Sequence, residues 1–377
     1  MLTPCIPDDL PITNLPWREV LPLVGRANAS LARYDGMLQT LPNPGILLSP
    51  ITANEAVLSS KIEGTQATLD EVLEAEAGLI TSETRRGDIE EITNYRSAVT
   101  ITEAALPNRP ITLSLIREVH QRLLQGVRGR DKTPGMFRSD QNWIGRRGDS
   151  IDRARFVPPN PLVLADALDR WQSYIALTTE DPVLQTSIAH AQFEILHPFK
   201  DGNGRIGRML IPLVLHQRHA LSRPMFYMSE YLEAHREEYY DRLLAITDRQ
   251  DWHGWIKFFL EGMIEQAEAN LAKVKSIRDL YEEARREFVE VTHSQYAMAA
   301  VDAFFTRPII SATAFAETAG FNNRVTANNM LRQLEAAGRI RRIREGGGRT
   351  ASIYAFPALI NIAEGRPVFR ETEPRLL

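Results

Sequence analysis

The segment HPFKDGNGRIGR, which runs from His197 to Arg208, gathers the side chains of this chain best suited to chemistry. His197 carries the nearby side chain whose pKa suits accepting a proton at neutral pH. Asp201 offers the hard oxygen ligand that Mg²⁺ prefers, and Mg²⁺ usually arrives with the phosphates of a nucleotide. Asn203 can donate a hydrogen bond to a phosphoryl oxygen. Together these side chains indicate a general base beside a site for a nucleotide polyphosphate.

The glycines of this segment predict an anion site at the start of a helix. Gly202, Gly204 and Gly207 let the backbone approach a bulky ligand, and the apolar run MLIPLVL that follows indicates a buried helix. Unpaired N–H groups and the helix dipole favour negative charge at such a start, so phosphate is the expected anion. Arg205 and Arg208 share one helical face and can bind phosphate oxygens. Each piece alone is weak, since a lone histidine is usually a packed core residue and Gly-Asn-Gly is commonly a turn.

Length and composition describe an ordinary globular chain. Its 377 residues suffice for two or three domains, and 44 Lys and Arg against 48 Asp and Glu give a net charge of −4. This balance provides no overall electrostatic reason to bind nucleic acid or an anionic membrane. No stretch approaches the roughly 18 to 20 apolar residues of a membrane span, and the N-terminus lacks the pattern of a secretory signal. We therefore expect a soluble, cytoplasmic protein without membrane contact.

Caps, prolines and apolar spacing predict a mainly α-helical chain. A helix is expected at about residues 50–64, with Ser49 as N-cap, Pro50 at the first position and Gly64 as its stop. The stretch 126–161 is rich in Gly, Arg and Pro with short β-prone runs, which predicts a hairpin. The expected domains are an N-terminal segment of residues 1–87, a core of residues 88–291 and a C-terminal module of residues 292–377.

The C-terminal module has its own pattern and charge. Two helices, the first capped by Ser311, precede the strand-like runs RIRRIR and TASIYAF, an order that resembles the winged-helix fold. Residues 311–356 hold seven arginines and three glutamates, a local net charge of +4 that suits DNA phosphates. Winged helices also dock proteins and form dimers, so both interpretations stay open for the candidate contact residues Arg324, Asn328, Asn329 and Arg332.

The segment from His197 to Arg208 resembles the signature of the Fic family at all nine specified positions: His-Pro-Phe, any residue, Asp or Glu, Gly-Asn, Gly or Lys, Arg, two spacers and Arg. The likeness extends over roughly residues 45–265, because GMFRSDQNWIG and ARFVPP resemble the family's hairpin flap and ITNYRSAV and WIKFFLEG its flanking helices. The implied fold is mainly α: a Fic-fold helical core whose only sizeable β element is the flap, followed by the winged helix-turn-helix domain.

Fic family proteins mostly transfer AMP from ATP to the hydroxyl of a Tyr, Thr or Ser in a protein. The resemblance implies that His197 deprotonates this hydroxyl, that Asp201 binds Mg²⁺ and that Phe199 packs inward to set the loop. It also implies a set of nucleotide-binding residues, namely Gly202, Asn203, Gly204, Arg205, Ile206, Gly207, Arg208 and Tyr239. Tyr239 and Tyr240 stand where the family often places an aromatic ring facing the nucleotide, although ordinary helix packing accounts for them equally well.

The flap and the capped N-terminal helix have implied roles too. The flap, with a tip from Ile144 to Asp149 that includes Gly145, would hold the target segment by adding it as a strand. Ser59, Glu63 and Gly64 match the family's inhibitory pattern, namely Ser or Thr, three spacers, Glu, and then Gly or Asn. Glu63 would pair with Arg208 and exclude the γ-phosphate of ATP by occupying its cation.

The sequence thus predicts an autoinhibited, Mg²⁺-dependent protein adenylyltransferase that uses ATP and also modifies itself. Two alternatives stay open. One is a Fic enzyme that uses another nucleotide donor or removes AMP. The other is a DNA-binding regulator whose Fic core senses nucleotide, although a sensor alone would not need His197. A homodimer is an expectation that only the resemblance supplies.

Overall fold

The computed structural model of this chain describes residues 3–79, 83–107, 109–126, 130–145, 150–347 and 350–369. Within those ranges most residues are helical. The helices are, in chain order, α1 (Trp17–Thr40), α2 (Pro44–Leu47), α3 (Ser49–Ile62), α4 (Leu69–Glu76), α5 (Glu83–Ala105), α6 (Leu113–Leu123), α7 (Pro161–Ile175), α8 (Pro182–Leu196), α9 (Asn203–Gln217), α10 (Ser229–Ala234), α11 (Arg236–Arg249), α12 (Trp252–Thr292), α13 (Ala297–Thr306), α14 (Ala312–Thr318), α15 (Arg324–Ala336) and α16 (Pro357–Glu364).

These helices belong to two compact units that alternate along the chain. The first unit holds the described residues of Met1–Gly36, Leu58–Thr65 and Glu90–Asn270, and the second holds those of Met37–Val57, Gln66–Ile89 and Leu271–Leu377. The mainly α-helical fold predicted from the sequence is confirmed. The domain boundaries at residues 87 and 291 stay a prediction. Among the described residues, no helix has both the length and the apolar character needed to cross a membrane.

The first unit is built around α8, which packs against α7 and α9. Pro182 occupies the first turn of α8, and the Asp181 carboxylate caps it by accepting hydrogen bonds from the N–H groups of Val183 and Leu184 at 2.9 and 3.1 Å. Every residue from 183 to 196 is buried, as expected for a helix enclosed on all sides. A helix so enclosed gives its C-terminal end, where the HPFKDGNGRIGR segment begins, a rigid position.

The predicted flap contains little regular β structure in the described residues. Ile144 and Phe156 form one isolated antiparallel bridge, in which the Ile144 N–H donates to the Phe156 carbonyl oxygen at 2.8 Å. No strand is assigned in this part of the described chain. Residues 146–149 of the predicted tip lie outside the described residues. Within the described residues, the predicted hairpin is thus represented by this one antiparallel bridge.

The C-terminal part of the second unit has the predicted order of two helices followed by an antiparallel strand pair. Strands β1 (Ile309–Ser311), β2 (Arg341–Arg344) and β3 (Ile353–Ala355) form a sheet in the order β1-β3-β2. The Ser311 hydroxyl caps α14 by accepting a hydrogen bond from the Ala314 N–H at 3.2 Å. Buried aromatic rings fill the core of this part, among them Phe288, Phe304, Phe305, Phe315 and Phe356.

Candidate functional site

The loop between α8 and α9 is held in shape by its own side chains. His197 ends α8 in the left-handed conformation with φ 45°, and Gly202 precedes α9 with φ 78°. The Asn203 amide clamps the loop, because its Oδ1 accepts from the Phe199 N–H at 2.8 Å and its Nδ2 donates to the Phe199 carbonyl at 2.9 Å. Phe199 is fully buried and stacks on the His120 ring, with centroids 3.7 Å apart. The described geometry thus uses Asn203 to lock the loop, and its phosphate contact stays a prediction.

Two glycines at the start of α9 make room for carboxyl groups. A Cβ atom on Gly204 would lie 2.2 Å from Glu63 Oε1, and one on Gly207 would lie 2.1 Å from Glu194 Oε1. Either distance is far below any normal contact, so a side chain at these positions would displace the facing carboxyl group. Ile206, between them, is buried, and its N–H already bonds the Gly202 carbonyl at 3.1 Å.

The His197 imidazole is neutral at physiological pH. Burial lowers the pKa of His197 to about 4, and this outweighs the opposing effects of the Glu63 charge and the Glu194 backbone. Its Nδ1 atom is buried and makes no well-aligned hydrogen bond to any described residue. A neutral imidazole that lines a cavity is able to accept a proton from a ligand.

Arg205 and Asp201 form one ion-pair cluster. Arg205, whose side chain is 4% exposed, places Nη1 3.2 Å from Glu91 Oε2 and Nη2 3.4 Å from Asp201 Oδ1. Asp201 Oδ1 also accepts the Gly202 N–H at 2.6 Å, while its side chain is 47% exposed. One exposed carboxylate fits Mg²⁺ delivered with a nucleotide's phosphates. The described residues contain no group of three or more His, Cys, Asp or Glu that would form a metal cage.

Arg208 is bound by the last turn of α3 and by Glu63, which directly follows it. Its Nη2 donates to Glu63 Oε1 at 2.7 Å and to the Ser59 carbonyl at 2.8 Å, and its Nε donates to the Ser59 hydroxyl at 2.9 Å. The Arg208 side chain is 1% exposed and that of Glu63 is 34% exposed. Gly64 follows with φ 104°, which turns the chain away from the helix. The three predicted inhibitory positions, 59, 63 and 64, and Arg208 are therefore neighbours.

The electrostatics of this pair favour the ionised forms. Burial acts to raise the pKa of Glu63, but the charge and hydrogen bond of Arg208 outweigh it, so the pKa is lowered overall. Burial acts to lower the pKa of Arg208, but Glu63 and neighbouring groups raise it overall. Because the carboxyl pKa is lowered, the ion pair is complete at neutral pH and is lost only in acid, when the pH falls through that lowered value.

A cavity of about 930 Å³ opens in front of these groups. This volume suits a nucleotide-sized ligand. Cationic, acidic, aromatic and apolar side chains all line it, including His197, Arg208, Glu63, Glu194, Arg153, Arg155, Arg236, Tyr240, Trp143, Ile144, Gly145, Leu243 and Leu244.

The two tyrosines of α11 differ in position. Tyr240 lines the cavity, and the Arg155 guanidinium lies 5.8 Å from its ring centroid. Tyr239 is fully buried, with its hydroxyl 3.0 Å from His190 Nε2 and its ring beside Trp255. The structure differs from the sequence prediction here, since the aromatic residue that faces the cavity is Tyr240.

Sequence reasoning missed two residues that position the loop. Arg138 is buried and donates from Nε to the His197 carbonyl at 2.9 Å and from Nη2 to the Pro159 carbonyl at 2.6 Å. His120 donates from Nε2 to the Asp201 carbonyl at 3.0 Å, because its Nδ1 accepts the Gly135 N–H at 2.9 Å. Burial lowers the pKa of His120 to about 4, so the ring is neutral. The only feature of the sequence that could have indicated either residue is the position of Arg138 within the flap-like run GMFRSDQNWIG.

Two family models match consecutive parts of the chain. Residues 21–102 match the model described as Fic/DOC family N-terminal. Residues 110–215 match the model described as Fic/DOC family. The second match includes the whole segment from His197 to Arg208.

Curated relatives carry a consistent name. The chain is similar to a probable protein adenylyltransferase of Aquifex aeolicus, at 28% identity over 196 residues that cover 50% of this chain and 56% of that protein. It is similar to the protein adenylyltransferase Fic of Aedes aegypti, at 29% identity over 176 residues that cover 45% of this chain and 32% of that protein. This chain therefore spans less than two thirds of the length of either relative.

Solved structures show the same fold. A Fic family protein from Desulfovibrio desulfuricans superposes with a TM-score of 0.56 at 20% identity, over 94% of this chain and 98% of that one. A Fic domain containing signaling protein from Bacteroides thetaiotaomicron superposes with a TM-score of 0.54 at 18% identity, over 66% of this chain and 97% of that one. At these identities the likeness concerns the fold alone.

Replacing Arg138 tests its positioning role. Arg138→Ala leaves several buried carbonyl oxygens without donors, so we expect a loss of about 3 kcal/mol in the free energy of unfolding of the first unit. Arg170→Ala is the control, because Arg170 and Asp9 form an exposed pair at 3.4 Å and its loss should change stability by less than about 0.5 kcal/mol. Urea denaturation measures the free energy of unfolding of each variant. Equal values for the two variants would contradict the positioning role of Arg138.

Proposed function

We propose that this chain, which belongs to the Fic/DOC family, is a protein adenylyltransferase that transfers AMP from ATP to a Tyr, Thr or Ser hydroxyl of a protein, itself included. The observation that carries the proposal is the neutral His197 beside the buried cation Arg208 on one nucleotide-sized cavity. The names of the curated relatives support it. Transfer of another nucleotide, or removal of AMP, is the alternative within the same chemistry.

The reaction needs a general base and a binding site for the phosphates. The target hydroxyl oxygen attacks the α-phosphorus, the bond to pyrophosphate breaks, and the hydroxyl proton passes to His197. Because no covalent intermediate with the protein is needed, the remaining work is positioning and charge neutralisation. The helix start at Gly202 to Gly204 and the guanidinium groups of Arg205 and Arg208 would hold the phosphates.

We propose a single protein ligand for magnesium. Asp201 would hold Mg²⁺, which supplies positive charge to the phosphates when bound. The exposed Asp201 carboxylate, already oriented by the Gly202 N–H, supports this assignment.

The contacts of Arg208 support the proposal of autoinhibition. The cation that would receive the terminal phosphate is occupied by Glu63, and the Ser59 hydroxyl and carbonyl hold it in the same place. A phosphate that approached this point would meet the Glu63 carboxylate and be repelled. We propose that ATP binds productively only when the last turn of α3 withdraws.

The flap would hold the protein target. Ile144 and Gly145 line the cavity that contains His197, so an extended segment paired with this edge would bring its hydroxyl to the base. Tyr240 rather than Tyr239 is the aromatic residue placed to contact the nucleotide.

A second candidate function is DNA contact through α15. Arg324, Asn328, Asn329 and Arg332 are exposed on this helix. Neither Arg324 nor Arg332 forms an ion pair with any residue in the described ranges, whereas Arg339 pairs with Glu287 at 2.7 Å. Exposed, unpaired arginines on the second helix of the predicted winged-helix domain suit phosphate and base contacts in a groove. Arg349, which the sequence count included, lies outside the described residues.

Removing the Glu63 carboxylate tests the transfer and its inhibition together. Glu63→Gly should raise incorporation of AMP from radiolabelled ATP by about tenfold or more, because it frees a buried cation for phosphate. Lys61→Ala is the matched control, since Lys61 lies on the same helix but pairs with Glu233 at 2.9 Å and is 49% exposed. His197→Ala should abolish incorporation. Equal rates for the unmodified chain and Glu63→Gly would refute the inhibition.

The low pKa of His197 predicts an unusual pH profile. Because burial lowers this pKa to about 4, the base stays unprotonated as the pH falls through the range where an ordinary histidine takes up its proton. We expect kcat/KM of Glu63→Gly for ATP, corrected for the titration of ATP itself, to stay level down to about pH 5.5. A fall in kcat/KM centred near pH 6.5, the ordinary pKa of histidine, would contradict the lowered pKa of His197.

Salt-dependent binding of the full-length chain to duplex DNA tests the second candidate. Replacing both Arg324 and Arg332 with Ala should reduce the slope of log K against log salt concentration by about 2. Arg339→Ala, which removes a paired arginine, should leave the slope unchanged. Binding that shows no salt dependence, or equal slopes for all variants, would rule out this contact.

A further inference from the structure

Glu194 is a buried carboxyl group that the proposed reaction does not use. It lies on α8 one turn before His197 and lines the same cavity. The residue is 9% exposed, and its Oε1 atom is buried without a hydrogen-bond partner among the described residues. A buried polar atom without a partner is destabilising, so it calls for an explanation.

Glu194 is surrounded by groups from four helices. From α9, Gly207 leaves the space that Oε1 occupies, and Arg208 contributes a positive charge. The other titratable groups that face this region are Glu63 at the end of α3, His190 and His197 on α8, and Tyr239 and Tyr240 on α11. Burial raises the pKa of Glu194 to about 8, with Arg208 opposing this effect and Glu63 adding to it. At neutral pH the group is therefore mostly the uncharged acid.

Arg208 thus faces two carboxyl groups but forms an ion pair with only one of them. Glu63 makes the ion pair, while Glu194 remains protonated next to it. When a terminal phosphate replaces Glu63, its negative charge keeps the proton on Glu194 for the same reason. A protonated carboxyl group has one O–H donor to offer, and a phosphate oxygen is a strong acceptor.

We propose that Glu194 is a nucleotide-binding residue that, as an uncharged carboxyl group, donates a hydrogen bond to the phosphate held by Arg208. This inference rests on the proposed function, since it takes ATP as the ligand. It adds a contact from α8 to those that the HPFKDGNGRIGR segment supplies. It also makes nucleotide binding depend on a proton, since ionised Glu194 would repel the phosphate.

The test compares Glu194→Gln with its parent, both in the full-length Glu63→Gly protein. Glutamine has nearly the same shape and can donate a hydrogen bond, but it does not ionise. The probe is an ATP analogue with a methylene group between its α- and β-phosphates, which binds with Mg²⁺ but cannot transfer AMP. Calorimetry gives its Kd at about pH 5 and about pH 9, and the lower value is chosen because the loss of Glu63 removes one of the charges that raise the pKa of Glu194. AMP, which lacks the terminal phosphates, is the ligand control.

At the lower pH we expect the two proteins to bind the analogue equally, within about twofold, because both carry an uncharged donor. At the higher pH the Gln variant should bind at least about tenfold more tightly, because the parent must first take up a proton. AMP should show no such difference. Glu194→Ala, which has no donor, should bind the analogue more weakly than the Gln variant at both pH values.

Three results would overturn the inference. One is equal affinity of the parent and the Gln variant for the analogue at both pH values, and another is tighter binding by the parent at the higher pH. The third is a difference of the same size with AMP, which would assign Glu194 to the nucleoside. If the parent binds the analogue and only the comparison fails, the proposed function stands. If the parent binds no analogue at all, both fall together.

Discussion

The buried guanidinium of Arg208 is the constraint on which the rest of the site depends. Its side chain is 1% exposed, and it donates three hydrogen bonds, two to Ser59 of α3 and one to Glu63 directly after α3. An uncompensated charge in such a place costs several kcal/mol, so an anion that pairs with it is strongly favoured. The position of Glu63 is also unfavourable by itself, because the C-terminal end of a helix disfavours a carboxylate. The ion pair therefore stabilises both charges, and we propose that a competing phosphate takes the place of Glu63.

His197, the proposed base, is positioned by contacts that involve no ligand. The Asn203 amide fixes Phe199, Phe199 stacks on His120, and Arg138 holds the carbonyl of His197. These contacts are buried and nearly all of their polar atoms are paired. A loop locked in this way holds its geometry before the ligand arrives, which lowers the cost of positioning the reacting groups. In the proposed inhibition, the part of the site that changes between states is the last turn of α3 with Glu63, not the loop.

Local patterns predicted most of the fold because its helices begin and end with local signals. The Ser311 cap of α14 and Gly64 after α3 are examples in which a few adjacent residues determine an element boundary. The flap was less predictable, because Gly and Pro permit a hairpin without requiring strand pairing, and the described residues form a single bridge.

The candidate site, like the fold, was predictable from the sequence only in part. The contiguous motif revealed His197, Asp201 and Arg208, whose spacing is local. It could not reveal Arg138 or His120, because tertiary packing brings them to the loop from 59 and 81 residues away. Nor could it reveal Glu194, since the sequence does not show that its carboxyl group is buried and unpaired. The choice between Tyr239 and Tyr240 likewise depends on which side of α11 faces the core.

The most direct measurement of the central claim is the position of the nucleotide on Arg208. A crystal structure of the Glu63→Gly protein with ATP and Mg²⁺ should show the terminal phosphate bound to the Arg208 guanidinium, with the α-phosphorus facing the His197 ring. A triphosphate bound elsewhere, with no contact to Arg208, would contradict the account.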